Sequence, residues 1–169
     1  DAMNIKKVRV DKEGTGMGWG AVYAQYLESM DQIGEQGNGL SVSRQLYKGD
    51  EALNESAPLK VGDKITVRLT VKADRDMDFV QIKDDRAACM EPLQAVSGFR
   101  WSNGLGYYQA TKDASTQFFI DQMRKGTYVI EYQVYVNRTG EYQTGIATVQ
   151  SAYAPEFGGH TGGYRVMVE

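Results

Sequence analysis

Lys64-Ile65-Thr66-Val67-Arg68-Leu69-Thr70-Val71-Lys72 alternates strictly between apolar and polar residues. Successive side chains of a strand point to opposite faces, so Ile65, Val67, Leu69 and Val71 share one face. Thr66, Arg68, Thr70 and Lys72 share the other. The stretch therefore reads as a strand with one buried face, fed by the turn residues Val61-Gly62-Asp63. A second run repeats the pattern. Tyr128, Ile130, Tyr132, Val134 and Val136 line one face, with Gly126 before them and Asn137-Arg138-Thr139-Gly140 after. Those four residues read as a hairpin turn, which makes residues 141–149 the expected partner strand, with Tyr142, Thr144, Ile146 and Thr148 on one face.

Working outward, residues 4–10, 40–46, 77–83, 117–123 and 164–168 are shorter strand candidates. Between Cys89 and Thr111 only turn signals stand out, at Ser97-Gly98, Asn103-Gly104 and Gly106. Residues 21–30 fit a helix or a strand; no capping residue precedes them, which favours the strand. Many short strands separated by turns predict an all-β fold, an antiparallel two-sheet β-sandwich. Gly34, Gly37, Asn38 and Gly39 interrupt any regular element. They divide the chain into a Gly-rich, aromatic leader of residues 1–36 and a sandwich of residues 37–169.

Composition narrows the function. In 169 residues, 41% are hydrophobic and 24% charged, enough apolar side chain for a core. The formal net charge is −3 and no basic block exists, so no nucleic-acid partner is expected. No apolar run approaches the roughly 18 residues of a membrane helix, so no direct membrane insertion is expected. One Cys precludes an internal disulfide, and with one His no zinc site built from Cys and His is expected. The chain begins at Asp1 without a basic leader and reads as a mature or excised piece.

Several local patterns invite chemistry. Gly16-Met17-Gly18-Trp19-Gly20-Ala21 matches a relaxed dinucleotide fingerprint, but no helix of useful length follows. Asp74, Asp76 and Asp78 begin like a calcium loop, yet Phe79 stands where that loop needs glycine. They read instead as a charged hairpin tip. Cys89 and His160 could form a thiol–imidazole pair, but Cys89 has the small-residue neighbours of a buried thiol. His160 lies in Gly158-Gly159-His160-Thr161-Gly162-Gly163, which reads as a mobile loop. No catalytic residue, metal site or cofactor is therefore expected. Trp101, Tyr107 and Tyr108 are candidate exposed aromatics. They could stack on sugar rings in a carbohydrate-binding or adhesive module of a cell-surface protein, or cap the core.

The remaining motifs carry a family resemblance. They are Leu59-Lys60-Val61-Gly62-Asp63-Lys64-Ile65-Thr66-Val67, Asp78-Phe79-Val80-Gln81-Ile82-Lys83-Asp84-Asp85, and Ala147-Thr148-Val149-Gln150-Ser151-Ala152-Tyr153-Ala154-Pro155-Glu156-Phe157. In this order, over residues 40–169, they resemble the C-terminal domain of bacterial α2-macroglobulin-like proteins, the tenth macroglobulin-like domain. Gly18-Trp19-Gly20-Ala21-Val22-Tyr23-Ala24-Gln25-Tyr26 is similar to the last strand segment of the split sandwich that precedes it there.

The resemblance implies a non-catalytic domain of a protease-trapping inhibitor of the bacterial cell envelope or periplasm. It implies a lipoprotein held at the membrane by the N-terminus of the full-length protein. Its partners would be other domains of the same polypeptide and, through the full-length protein, target proteases. Many members capture the protease through a thioester formed by Cys-x-x-Gln. This chain lacks that motif, since Pro92 stands three positions after Cys89. In members with a thioester the final domain shields it. Tyr153, Pro155, Glu156 and Phe157, with the Gly-rich loop around His160, are the candidate interdomain docking residues, because large apolar side chains on a loop are unusual unless the loop folds back or meets a partner. Many members carry Met-Tyr where this chain has Ala152-Tyr153. A structural alternative is that Tyr153 seals the end of its own sandwich.

Overall fold

A computed structural model describes residues 7–21, 27–54 and 57–169. Among the described residues, fourteen strands follow a three-residue 3-10 turn, Met30–Gln32. They are β1 Gln36–Asn38, β2 Leu40–Lys48, β3 Glu51–Ala52, β4 Lys64–Ala73, β5 Met77–Asp85, β6 Met90–Pro92 and β7 Gly98–Ser102. The series continues with β8 Leu105–Thr111, β9 Ser115–Met123, β10 Gly126–Val136, β11 Gly140–Gln143, β12 Ala147–Ser151, β13 Gly158–His160 and β14 Arg165–Val168.

One layer runs β6-β10-β4-β2, with β3 beside β2, and the other runs β12-β5-β9-β8-β7. Every pairing between these strands is antiparallel. The alternation in β4 is realised: Ile65, Val67, Leu69 and Val71 are buried, as are Ile130, Tyr132 and Val134 opposite them. Each such side chain contributes about 1.5–3 kcal/mol of burial free energy. Val80 and Ile82 of β5, Phe118 and Ile120 of β9 and Val149 of β12 complete the core from the second layer.

The layers meet at a glycine seam. β1 joins β2 to β13, and β13 joins β12, so hydrogen bonding is continuous from one layer to the other. A Cβ on Gly159 would fall 2.7 Å from the carbonyl oxygens of both Gln36 and Leu40, so a side chain there would open the seam. The stretch around His160, expected to be a mobile loop, is thus partly a strand. The last residues of the leader also enter the sandwich, because Gly162 and Gly163 pack beneath the carbonyls of Ile33 and Met30.

Two expectations fail. Residues 141–149 are not the hairpin partner of β10, which pairs with β4 and β6 instead. The segment splits into β11, which pairs with β14, and β12, which pairs with β5 and β13. Gly145 is the physical reason. It passes so close to Asp85 that a Cβ would lie 2.3 Å from the Asp85 Cβ. The chain crosses there, and the buried phase shifts from Thr144 to Ala147 and Val149. In the leader, the described parts of the two expected strands, residues 7–10, 21 and 27–30, form no strand. Residues 4–6 and 22–26 lie outside the described residues.

A buried polar cluster ties the layers together. The Arg44 side chain of β2 is 4% exposed and the Asp84 side chain of β5 1%. Arg44 Nη1 donates to Asp84 Oδ1 at 2.5 Å, and Nη2 donates to Thr144 Oγ1 at 3.0 Å and to the Gly145 carbonyl. Tyr132 of β10 donates its hydroxyl to Asp84 Oδ2 at 2.6 Å. Burial, and the Asp84 carboxylate beside it, push the Tyr132 phenol well above its ordinary pKa.

Candidate functional site

The β12–β13 connection carries most of the expected docking residues. β12 ends at Ser151, and the Ala152 N–H donates to the Phe79 carbonyl at 2.9 Å. The chain turns over Ala154–Phe157, with the Phe157 N–H donating to the Ala154 carbonyl at 2.9 Å. The Ser151 N–H then closes the loop onto the Phe157 carbonyl at 3.1 Å. Asn38 Nδ2 donates to the Glu156 carbonyl at 2.8 Å from the seam side. The loop is therefore held at its base by a backbone bond to β5 and a side-chain bond from β1.

Its side chains divide into two kinds. Phe157 is half-buried and points back: it packs on the core, contacts Gly39, and lies under the Arg75 guanidinium at 4.7 Å. His160 is a half-buried member of β13, opposite Gln36 and Thr148. Pro155 and Glu156 are exposed. Tyr153 is 77% exposed, so it does not seal the sandwich. Its ring partner among the described residues is Phe79 of β5, edge-to-face with centroids 5.0 Å apart.

Phe79 is the residue that sequence reasoning passed over. Its φ is 52°, a left-handed conformation that a bulky side chain rarely adopts. Strand register is kept on both sides, Asp78 opposite Gln122 and Val80 opposite Ile120. The strained residue thus turns its ring outward without shifting β5. Non-glycine residues held in this region cluster at functional sites. The available signal was Phe79 between Asp78 and Val80, next to a buried phase that begins at Val80.

The three candidate exposed aromatics separate. Asn103, at φ 50°, and Gly104 form the β7–β8 turn, which puts Trp101 opposite Gly106 on the outer face. Trp101 is 76% exposed. Tyr108 is half-covered by Phe99, edge-to-face at 5.1 Å. Tyr107 is not exposed. It faces the opposite side of β8, is 6% accessible, and packs edge-on against Phe118 at 5.7 Å. Period two dictates that two consecutive strand residues cannot share a face.

Cys89 and His160 stay apart. Cys89 is fully buried before β6, where its carbonyl accepts the Asn137 N–H, and burial raises its thiol pKa. His160 lies at the seam. In the acidic tip, Asp74 pairs with Arg75 and Asp76 accepts the Lys125 N–H.

Comparisons with known proteins match this architecture. Residues 39–156 fit the model of the bacterial alpha-2-macroglobulin MG10 domain. The chain belongs to that family. Alpha-2-macroglobulin of Salmonella reacted with methylamine is 19% identical, with a TM-score of 0.68 over 80% of this chain and 10% of that one. Native Escherichia coli alpha-2-macroglobulin from domain MG7 to the C-terminus is 17% identical, with a TM-score of 0.67 over 80% of this chain and 24% of that one. The E. coli protein activated by porcine elastase is 16% identical, with a TM-score of 0.69 over 81% and 14% of the two chains. Circularly permutated Ras protein 2 of Dictyostelium discoideum is 28% identical over 166 residues, 94% of this chain and 4% of that protein. The chain thus spans a small part of the relatives it matches.

Proposed function

We propose that this macroglobulin domain is a non-catalytic docking element of a protease-trapping protein, set against a neighbouring domain of the same polypeptide through the Tyr153 loop. The observation that carries this reading is Tyr153 itself, a large ring presented to solvent from a loop fixed at its base. An exposed aromatic on an ordered loop is the form an interface anchor takes before its partner covers it. Pro155 and Glu156 widen the contact, while Phe157 and His160 hold the loop in place. The covered neighbour is the thioester-bearing domain where the full-length protein has one, and Tyr153 then keeps water and amines from the bond. The part of the leader before Met30 belongs to the preceding sandwich, which accounts for the exposure of Val10, Met17 and Trp19 on the described chain. The parent protein resides in the periplasm or envelope, anchored through its N-terminus.

The test is Tyr153→Ala in the full-length protein. Faster reaction with methylamine, or faster proteolysis at the domain junction in a parent without a thioester, is the expected result. Unchanged rates for both Tyr153→Ala and Phe157→Ala contradict docking.

A further inference from the structure

Trp101 lies close over Gly106. A Cβ at position 106 would fall 2.9 Å from Cε3 and Cζ3 of the indole, so glycine lets the ring settle onto β8 while most of its surface stays in solvent. Phe79, held outward by its left-handed backbone, is 47% exposed. Between these two rings lies a shallow cleft of about 610 Å³, floored by Gly104 and Gly106 and flanked by Asp78, Asp121 and Gln122. The side-chain carboxylates of Asp78 and Asp121 make no hydrogen bond or ion pair among the described residues, whereas those of Asp63, Asp74, Asp84 and Asp85 each hold a cation. Two aromatic walls and two uncompensated carboxylates thus converge on one depression, adjoining the Tyr153 ring through Phe79.

We propose that this cleft receives an arginine side chain carried by the surface on which the domain docks. A guanidinium is planar, stacks on aromatic faces, and meets carboxylates with a fork of N–H donors. The negative charge of the cleft repels phosphate and carboxylate ligands. A lysine ammonium would satisfy the carboxylates but not the flat surface of the indole. That the arginine belongs to a neighbouring domain rests on the docking reading above; the preference of the cleft for a guanidinium does not.

The experiment follows the Trp101 indole N–H resonance of the labelled chain, assigned with Trp101→Phe because Trp19 is the other indole. N-acetyl-arginine amide is titrated against its neutral isostere N-acetyl-citrulline amide and, in parallel, a neutral trisaccharide. The expected result is a saturable Trp101 shift with the arginine compound, at least about threefold weaker with citrulline. Asp78→Asn with Asp121→Asn should weaken arginine binding by about the same factor and leave the folded spectrum intact. Equal shifts with citrulline, a response to the trisaccharide alone, or no saturable shift with arginine would overturn the proposal. In the full-length protein, Trp101→Ala is compared with Tyr153→Ala. If only Tyr153→Ala speeds methylamine reaction or junction proteolysis, docking stands and the cleft lies outside the contact. If neither does, the docking reading fails, and the titration on the chain still decides what the cleft binds.

Discussion

The second layer carries aromatic side chains on both faces, and the two sets differ in what completes them. On the inner face Tyr107 packs on Phe118, which meets Tyr132 of the first layer at 5.9 Å. The Tyr132 hydroxyl is satisfied by Asp84, and Asp84 by Arg44. Nothing in that set awaits a partner. On the outer face Phe79 meets Tyr153, Phe99 meets Tyr108 and Trp101 lies over Gly106, each ring largely open to solvent, and the side-chain carboxylates of Asp78 and Asp121 are unpaired among the described residues. The same residue types thus serve stability where the chain covers them and, in the docking reading proposed above, recognition where it leaves them open.

Breaking the inner set should cost most. Arg44→Ala strands a buried carboxylate and is expected to destabilise the chain by about 3–5 kcal/mol in chemical denaturation. Phe118→Ala should cost about 3–5 kcal/mol as a large-to-small core change. Its outer counterpart Phe99→Ala should change stability by less than about 0.5 kcal/mol. A large effect of Phe99→Ala, or a small one of Phe118→Ala, would erase the distinction between the faces. Tyr132→Phe removes a hydrogen bond to a charged acceptor and should cost about 1.5–3 kcal/mol.

The Tyr132 phenol also gives the inner set a pH signature. Its folded pKa is raised, so above about pH 10 the unfolded chain loses a proton that the folded chain keeps, and stability falls as pH rises. Tyr132→Phe should flatten that part of the alkaline decline, followed by denaturation midpoints from pH 9 to pH 11. The smallest effect is expected at the loop tip. Tyr153→Ala should leave the chain within about 0.5 kcal/mol of its parent. A loss near 3 kcal/mol, the size of a core truncation, would mean that Tyr153 supports its own sandwich after all.

How far the sequence could be read follows the same division. β4 and β10 were legible because each has one wet face and one dry one, so period two appears in the residues themselves. The β7 edge strand has no buried face, and its Phe99 and Trp101 point outward, so its pattern carries no core signal. The crossover at Gly145 was hidden because apparent alternation runs through it, while a close approach to Asp85 decides the path. The Arg44–Asp84 pair did leave a trace. Arg44 falls in phase with Leu40, Val42 and Leu46, and Asp84 with Val80 and Ile82, an acid and a base on the buried phases of two strands. For the docking loop, the resemblance pointed to the segment, but which rings face outward depends on the Phe79 backbone and the turn at Ala154.

The central claim is that Tyr153 is an uncovered anchor that a neighbouring domain covers, and acetylation of tyrosine hydroxyls by N-acetylimidazole, read by peptide mass mapping, tests it most directly. In the isolated chain Tyr153 should label readily and Tyr132 should not. In the native full-length protein Tyr153 should be protected, and it should label again once a protease has activated the protein. Equal labelling of Tyr153 in the chain and in the native full-length protein would contradict the account.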